Sequence, residues 1–241
     1  TKDKIKISIE HAEQQMITNG IVAVGDICNT ADTLLQKQKG NLQYYNFIET
    51  FGVHENNIEA ILNASIDLRN QFRVVKMRAT IVPHAPYSVS AKLMRKIASA
   101  FDVHDELLTV HMQETKQENQ LFENKNGSFF DWLNGMNSNA SIWETREKSA
   151  DILQELRSNK VLLVHNTFAK KEDITDNYHC TCPKANLYIE NALPDYSIFD
   201  TDKLCVGTDS LASNDSLSIL EELLIIQENS NFDLNTLLKI A

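Results

Sequence analysis

The chain has 241 residues with 23 Lys+Arg against 33 Asp+Glu, a formal net charge of −10. That balance argues against a nucleic-acid binder, which carries a basic excess or patch. A hydrophobic share of 42% with 23% charged residues belongs to a folded globular chain rather than a disordered one. No run approaches the roughly 18 apolar residues of a membrane span, and the first residues, Thr1-Lys-Asp-Lys-Ile-Lys, lack the apolar core of a secretory leader. The cytoplasm is therefore the expected compartment. Cys28, Cys180, Cys182 and Cys205 form no CxxC pair, so buried free thiols are expected rather than disulfides. The 7 glycines are few, since average usage would give roughly 17. Either the loops are unusual or some of them lie outside this sequence.

In chain order, residues 5–17 have helical apolar spacing and stop at Asn19-Gly20, a favourable helix C-terminus. The run IVAVGD at 21–26 reads as a buried strand ending at Asp26, and 42–51 as a second strand. Residues 56–72 read as a helix. The strand at 77–82 runs into Pro83-His84-Ala85-Pro86. Ser90 suits the cap of a helix whose apolar face is Leu93, Met94, Ile97 and Phe101. Further strands are expected at 107–110 before His111, 161–164 before His165, 178–182, and 204–207 before Thr208-Asp209, with a helix over 216–227. Strands apolar on both faces, alternating with helices, indicate an α/β fold with a parallel sheet. The pattern leaves open a doubly wound sheet and a (β/α)₈ barrel.

The chemistry lies where the apolar runs stop. His84, His111, His165 and Asp209 each follow one. In both α/β architectures the C-terminal strand ends form the active-site rim. Three imidazoles and a carboxylate there have the composition of a Zn²⁺ or Fe²⁺ site. A closed ring is favoured, because it brings the ends of distant strands together. Glu114, three residues past His111, falls in the following loop, where a carboxylate can carry protons for a metal-activated water. Glu118 is one turn further on, and reads as helix surface or a loop brace. Asp26 reads as a structural residue near the rim. The long 115–145 segment carries Phe122, Phe129, Phe130 and Trp132, which suit either a lid over a flat substrate or a packed loop. His11, His54, His104 and His179 lack this context and are assigned no function.

At these residues the sequence resembles the amidohydrolase superfamily. It is most similar to the branch of cytosine, guanine, S-adenosylhomocysteine and aminofutalosine deaminases and triazine chlorohydrolases. The matching segments are Val82-Pro-His-Ala-Pro-Tyr-Ser-Val-Ser90, His111-Met-Gln-Glu-Thr115 with Glu118, Leu163-Val-His165, Cys182-Pro-Lys-Ala-Asn186 and Gly207-Thr-Asp-Ser-Leu-Ala-Ser-Asn214. They occur in the family's order and span residues 5–241.

The resemblance implies a metal-dependent (β/α)₈ TIM-type barrel over residues 1–241. It implies His111 and Asp209 as metal ligands and Glu114 as the proton-shuttling glutamate. His165 would orient the attacking water or the tetrahedral intermediate, and His84 would contact substrate. Asn186 and Asn214 would be loop braces. One divalent metal, Zn or Fe, is implied, with a small heterocyclic molecule as substrate and no nucleic-acid or membrane partner. A homodimer is the assembly common in that family. The family also holds its metal with a His-x-His pair on the first strand, and this sequence contains none. The chain therefore reads as the second to eighth βα units, without the first strand and without the small β-sandwich domain, and two ligands instead of four imply weak metal retention. The implied reaction is hydrolysis at a C–N bond of a cyclic amidine, such as deamination of an amino-purine, an amino-pyrimidine or a related nucleoside. The alternatives are a chlorohydrolase or amide hydrolase using the same site, and a truncated or non-catalytic barrel that holds no metal.

Overall fold

The computed structural model describes residues 2–100, 106–136, 146–156 and 160–241. Phe101, expected on a helix face, and His104 lie outside the described residues. In chain order the elements are α1 (Lys2–Thr18), β1 (Ala23–Cys28), α2 (Leu34–Lys37), β2 (Gln43–Thr50), α3 (Ile58–Val74), β3 (Arg78–Pro83), α4 (Ala91–Ser99), β4 (Leu108–Met112), α5 (Lys116–Asn124) and α6 (Ser128–Gly135). There follow α7 (Ile152–Leu156), β5 (Val161–His165), β6 (Tyr178–Thr181), α8 (Pro183–Glu190), β7 (Leu204–Val206), α9 (Ile219–Asn229) and α10 (Leu234–Ile240).

All strand pairs among the described residues are parallel, in the orders β1-β2-β3 and β4-β5-β6-β7. The two sheets meet where the His111 amide donates to the His84 carbonyl at 2.9 Å. Strands thus neighbour one another in chain order, none skipped within either sheet, in the manner of a TIM-type barrel wall. The reason is the apolar pattern: each strand has one face for the lumen and one for the helices. Ala79 and Ile81 of β3 join Ile58, Leu62 and Phe72 of α3 and Leu93, Met94 and Ile97 of α4 in the main outer core. On the lumen side Leu162 and Val164 of β5 pack with Cys180, Cys182 and Cys205. Ser90 caps α4 as its type predicts, its hydroxyl accepting from the Leu93 amide at 3.2 Å.

One strand end moves. β1 runs past Asp26 to Cys28, which stands opposite Ile48. Asp26 is therefore mid-strand, away from the rim. Its carboxylate pairs with the buried Lys37 ammonium of α2, which also donates to Asn46 Oδ1 at 2.6 Å. That ion pair ties α2 to the outer face of β1 and β2. The four cysteines are free, with Cys28, Cys180 and Cys182 buried and Cys205 half-buried. No helix among the described residues is long and apolar enough to cross a membrane.

Candidate metal and proton-transfer site

The strand ends are shaped by backbone as much as by side chain. Gln113 after β4, His165 and Asn166 at the end of β5, and Asp209 after β7 adopt φ of +49°, +74°, +53° and +56°. L-residues rarely occupy this left-handed region, although Asn, Asp and His tolerate it best. The Asn166 side chain supports its own turn by donating to the Leu163 carbonyl at 2.7 Å. The turn has a direct effect on His165. Strand alternation would send it outward with Leu163, which lies in the outer core. The left-handed step swings it onto the rim instead, with its ring stacked 5.5 Å from that of His111. Local backbone strain at about 1–3 kcal/mol per residue is a common mark of functional sites.

The three rim histidines share a hydrogen-bonding pattern. His111 Nδ1 lies 2.8 Å from the His84 carbonyl, which can only accept. His165 Nδ1 lies 2.9 Å from Asn186 Oδ1. His84 Nδ1 lies 2.7 Å from the Ser88 hydroxyl. In each ring Nδ1 is engaged by the scaffold and Nε2 is left for the site. This is the arrangement that prepares imidazole for a metal, with the far nitrogen held by a backbone or side-chain partner. The rings of His84 and His111 are 5.1 Å apart.

Carboxylates close on this group from three sides. Glu114 Oε1 is 3.5 Å from His165 Nε2. Glu49, at the end of β2, is 3.7 Å from His111 Nδ1 and accepts from Asn29 Nδ2 at 3.1 Å. Burial raises the carboxyl groups of both Glu49 and Glu114, and the Asp209 charge raises them further. Asp209 also opposes the burial that pushes His165 down. Burial holds His84 down at about 4, so it is neutral at ordinary pH. The five residues singled out in the sequence, His84, His111, Glu114, His165 and Asp209, thus fall within one electrostatic neighbourhood. The donor set suits a divalent cation, since Glu49, His84 and His111 each offer a ligand atom within 4.8 Å of the others.

The loops around the rim are braced from within. Thr115 caps α5 by accepting from the Glu118 amide at 3.2 Å, and Glu118 Oε1 returns to accept from the Gln113 amide at 2.9 Å. Glu118 is fully buried, which corrects its reading as helix surface and supports its reading as a brace. Asn214 donates to the Thr208 carbonyl and to Glu222 Oε1, both at 2.7 Å, and Glu222 Oε2 accepts from the Lys184 amide at 2.8 Å. Glu222 thereby joins the β7 loop, α8 and α9.

The aromatic segment divides in two. Phe122 is buried with Leu121 and Leu133 and serves packing, not a lid. Phe129 meets Tyr87 at 4.7 Å between centroids, and Tyr87 meets the His84 ring edge-on at 5.8 Å. A wall of Tyr87 and Phe129 therefore stands beside the rim, with Trp132 beyond it at 6.5 Å from Phe129. The sequence reading missed Glu49, Tyr87 and Glu222. Glu49 falls one residue before the end of β2, but a lone acidic residue there has no spacing that marks it.

Comparison with known proteins bears on the fold and the family. The chain is 26% identical to an adenosine deaminase of Helicobacter pylori over 97% of its length, and spans 60% of that protein. The crystal structure of an aminofutalosine deaminase from Helicobacter pylori superposes with a TM-score of 0.83 at 26% identity, over 98% of this chain and 62% of that one. An adenosine deaminase from Xanthomonas campestris, solved with bound zinc, shares the fold with a TM-score of 0.75 at 18% identity, over the whole of this chain and 56% of that one. The chain thus spans about three fifths of the length of these relatives. The α/β fold of TIM-barrel type is common to them all. The pattern of the Amidohydrolase family matches residues 1–241, and the chain belongs to that family.

Proposed function

We propose that this chain is the second to eighth βα units of a metal-dependent hydrolase that deaminates a cyclic amidine, an amino-purine, amino-pyrimidine or related nucleoside. The observation that carries the reading is the contact of Glu114 with His165 beside His111, within the field of Asp209. The deaminase names of the relatives support the reaction class.

His111 and Asp209 would hold the cation, and the free Nε2 of His111 fits that role. A bound divalent metal lowers the pKa of its water from 15.7 to about 7. Zinc is the ion named with the Xanthomonas campestris relative. The chain's own residues do the rest. His165, locked by Asn186 with its proton on Nδ1, presents Nε2 as an acceptor that aims the attacking oxygen. Glu114 is half-buried and burial raises its carboxyl above the usual carboxylate range, which favours its taking up and releasing a proton. It would pass that proton to the ring nitrogen of the amidine as the oxygen attacks the neighbouring carbon, and a second proton would leave with ammonia. Tyr87 and Phe129, their rings tilted 50° to one another, offer aromatic surface against which a heterocycle can pack.

The test is ammonia release by the full-length, zinc-loaded protein across a panel of amino-purines, their nucleosides and amino-pyrimidines. Turnover on at least one is expected. Turnover confined to chlorotriazines or exocyclic amides would replace the reading, and turnover on none of these would overturn it.

A further inference from the structure

Gln113 stands between Met112, the last residue of β4, and Glu114, and only 4% of it is exposed. We propose that Gln113, through its bond to Asp173, is a positioning residue that holds Glu114 beside His165 for proton transfer. The proposal rests on the deaminase reading above and adds two residues that act through Glu114.

The backbone creates the need. Gln113 takes a φ of +49°, and glutamine is not among the residues that tolerate this region best. The step at Gln113 directs the chain that follows it, so the aim of Glu114 depends on it. Glu114 Oε1 ends 3.5 Å from His165 Nε2. The main chain of Gln113 is held on both sides. Its amide donates to Glu118 Oε1 at 2.9 Å, and its carbonyl accepts from the Phe168 amide at 3.0 Å. Its side chain is held as well. Nε2 donates to Asp173 Oδ2 at 2.9 Å and to Asn119 Oδ1 at 3.3 Å.

Asp173 makes the side-chain bond a link between loops. It closes the short helical turn Lys171–Asp173, in the loop that leaves His165, and is 8% exposed. Oδ2 also accepts from the Lys170 amide at 3.1 Å, and Oδ1 lies 3.6 Å from Lys148 Nζ. The carboxylate is thus fixed by its own loop and by a neighbouring segment. The Gln113–Asp173 bond then crosses from the loop that carries Glu114 to the loop that leaves His165, and so bears on the separation of the two groups. Its charged acceptor makes it stronger than the contact between the Gln113 and Asn119 amides.

The experiment measures kcat, KM and bound zinc for the full-length, zinc-loaded protein, by ammonia release from its best amino-purine, nucleoside or amino-pyrimidine substrate. Gln113→Glu sets a carboxylate against Asp173, and kcat should fall by about 10- to 100-fold with KM and bound zinc unchanged. Adding Asp173→Asn exchanges donor and acceptor across the same bond and should recover most of the rate. Unchanged kcat in Gln113→Glu overturns the proposal and leaves the deaminase reading standing. A loss that Asp173→Asn does not relieve, or one that takes bound zinc with it, also overturns the proposal and assigns Gln113 to packing. Absence of turnover in the unsubstituted protein overturns the deaminase reading and this proposal with it. Should Gln113→Glu not fold, Asp173→Ala carries the test. It removes the acceptor, and kcat should fall by at least about tenfold at constant KM, whereas an unchanged kcat overturns the proposal.

Discussion

His165 Nδ1 and Asn186 Oδ1 lie 2.9 Å apart in a buried contact between the end of β5 and the first turn of α8. An amide oxygen can only accept, so this contact fixes the proton on Nδ1 and leaves Nε2 bare toward Glu114. Asn186→Leu removes the acceptor and frees the ring to change tautomer. In the full-length protein kcat should fall by about 10- to 100-fold, with little change in KM. Asn186→Asp keeps an acceptor and should recover most of the rate, with an activity profile displaced to higher pH because the new carboxylate favours imidazolium. Equal losses in both variants would assign Asn186 to packing alone.

Glu114→Gln keeps the shape of the side chain and removes its proton. If Glu114 carries the transfer, the rate should drop by about 10²–10⁴-fold while bound metal, measured by elemental analysis, stays at the level of the unsubstituted protein. A rate within threefold of normal, by the same ammonia assay, would take Glu114 out of the proton path.

Glu118 lends itself to a stability measurement. Burial raises its carboxyl from 4.5 to about 7. The folded state therefore holds a proton that the unfolded chain releases, and stability falls as pH rises from about 4.5 through 7. Glu118→Gln abolishes that dependence and can still accept from the Gln113 amide. Urea unfolding should show the variant matching the unsubstituted protein near pH 4.5 and exceeding it by up to about 3 kcal/mol at pH 8. An identical pH response in both proteins would show that Glu118 is not protonated in the fold.

Gly207 is hemmed in by sulfur. A Cβ there would sit 3.0 Å from Cys180 Sγ and 3.2 Å from Cys182 Sγ. Both neighbours belong to the packed lumen cluster. Gly207→Ala should cost about 1–3 kcal/mol, read as a lowered Tm, and should weaken Zn²⁺ retention because Asp209 is two residues away. A Gly207→Ala, Cys182→Ala double variant makes room and should recover part of both losses.

Much of this arrangement was legible in the residues. The runs before His84, His111 and His165 mark strands because they are apolar on both faces, and each stops at or beside a histidine of the rim. The strand ends were less legible. Asp26 looked terminal because a charge ended an apolar run, but Lys37 neutralises it on the outer face and the ladder continues to Cys28. Glu118 looked exposed because glutamate in a first helical turn commonly is, whereas the Gln113 amide draws it inward. Phe122 and Phe129 are alike in sequence, and only the packing of α5 on α6 buries one fully and leaves the other at the edge of the same cluster, against Tyr87. Glu49 and Glu222 were overlooked because a single acidic residue has no sequence spacing to announce its partners. The orientation of His165 could not be read at all, since it depends on a backbone torsion.

The torsion at the strand ends has a bearing on engineering. With Gln113, His165, Asn166 and Asp209 all at positive φ, the aim of the rim is written largely in the main chain. A library that randomises these four positions would mostly discard members through backbone incompatibility before chemistry is sampled, with Val and Ile the most heavily penalised. Diversity aimed at new substrates belongs instead on Tyr87 and Phe129, whose backbones carry no such constraint and which lead outward from the His84 ring.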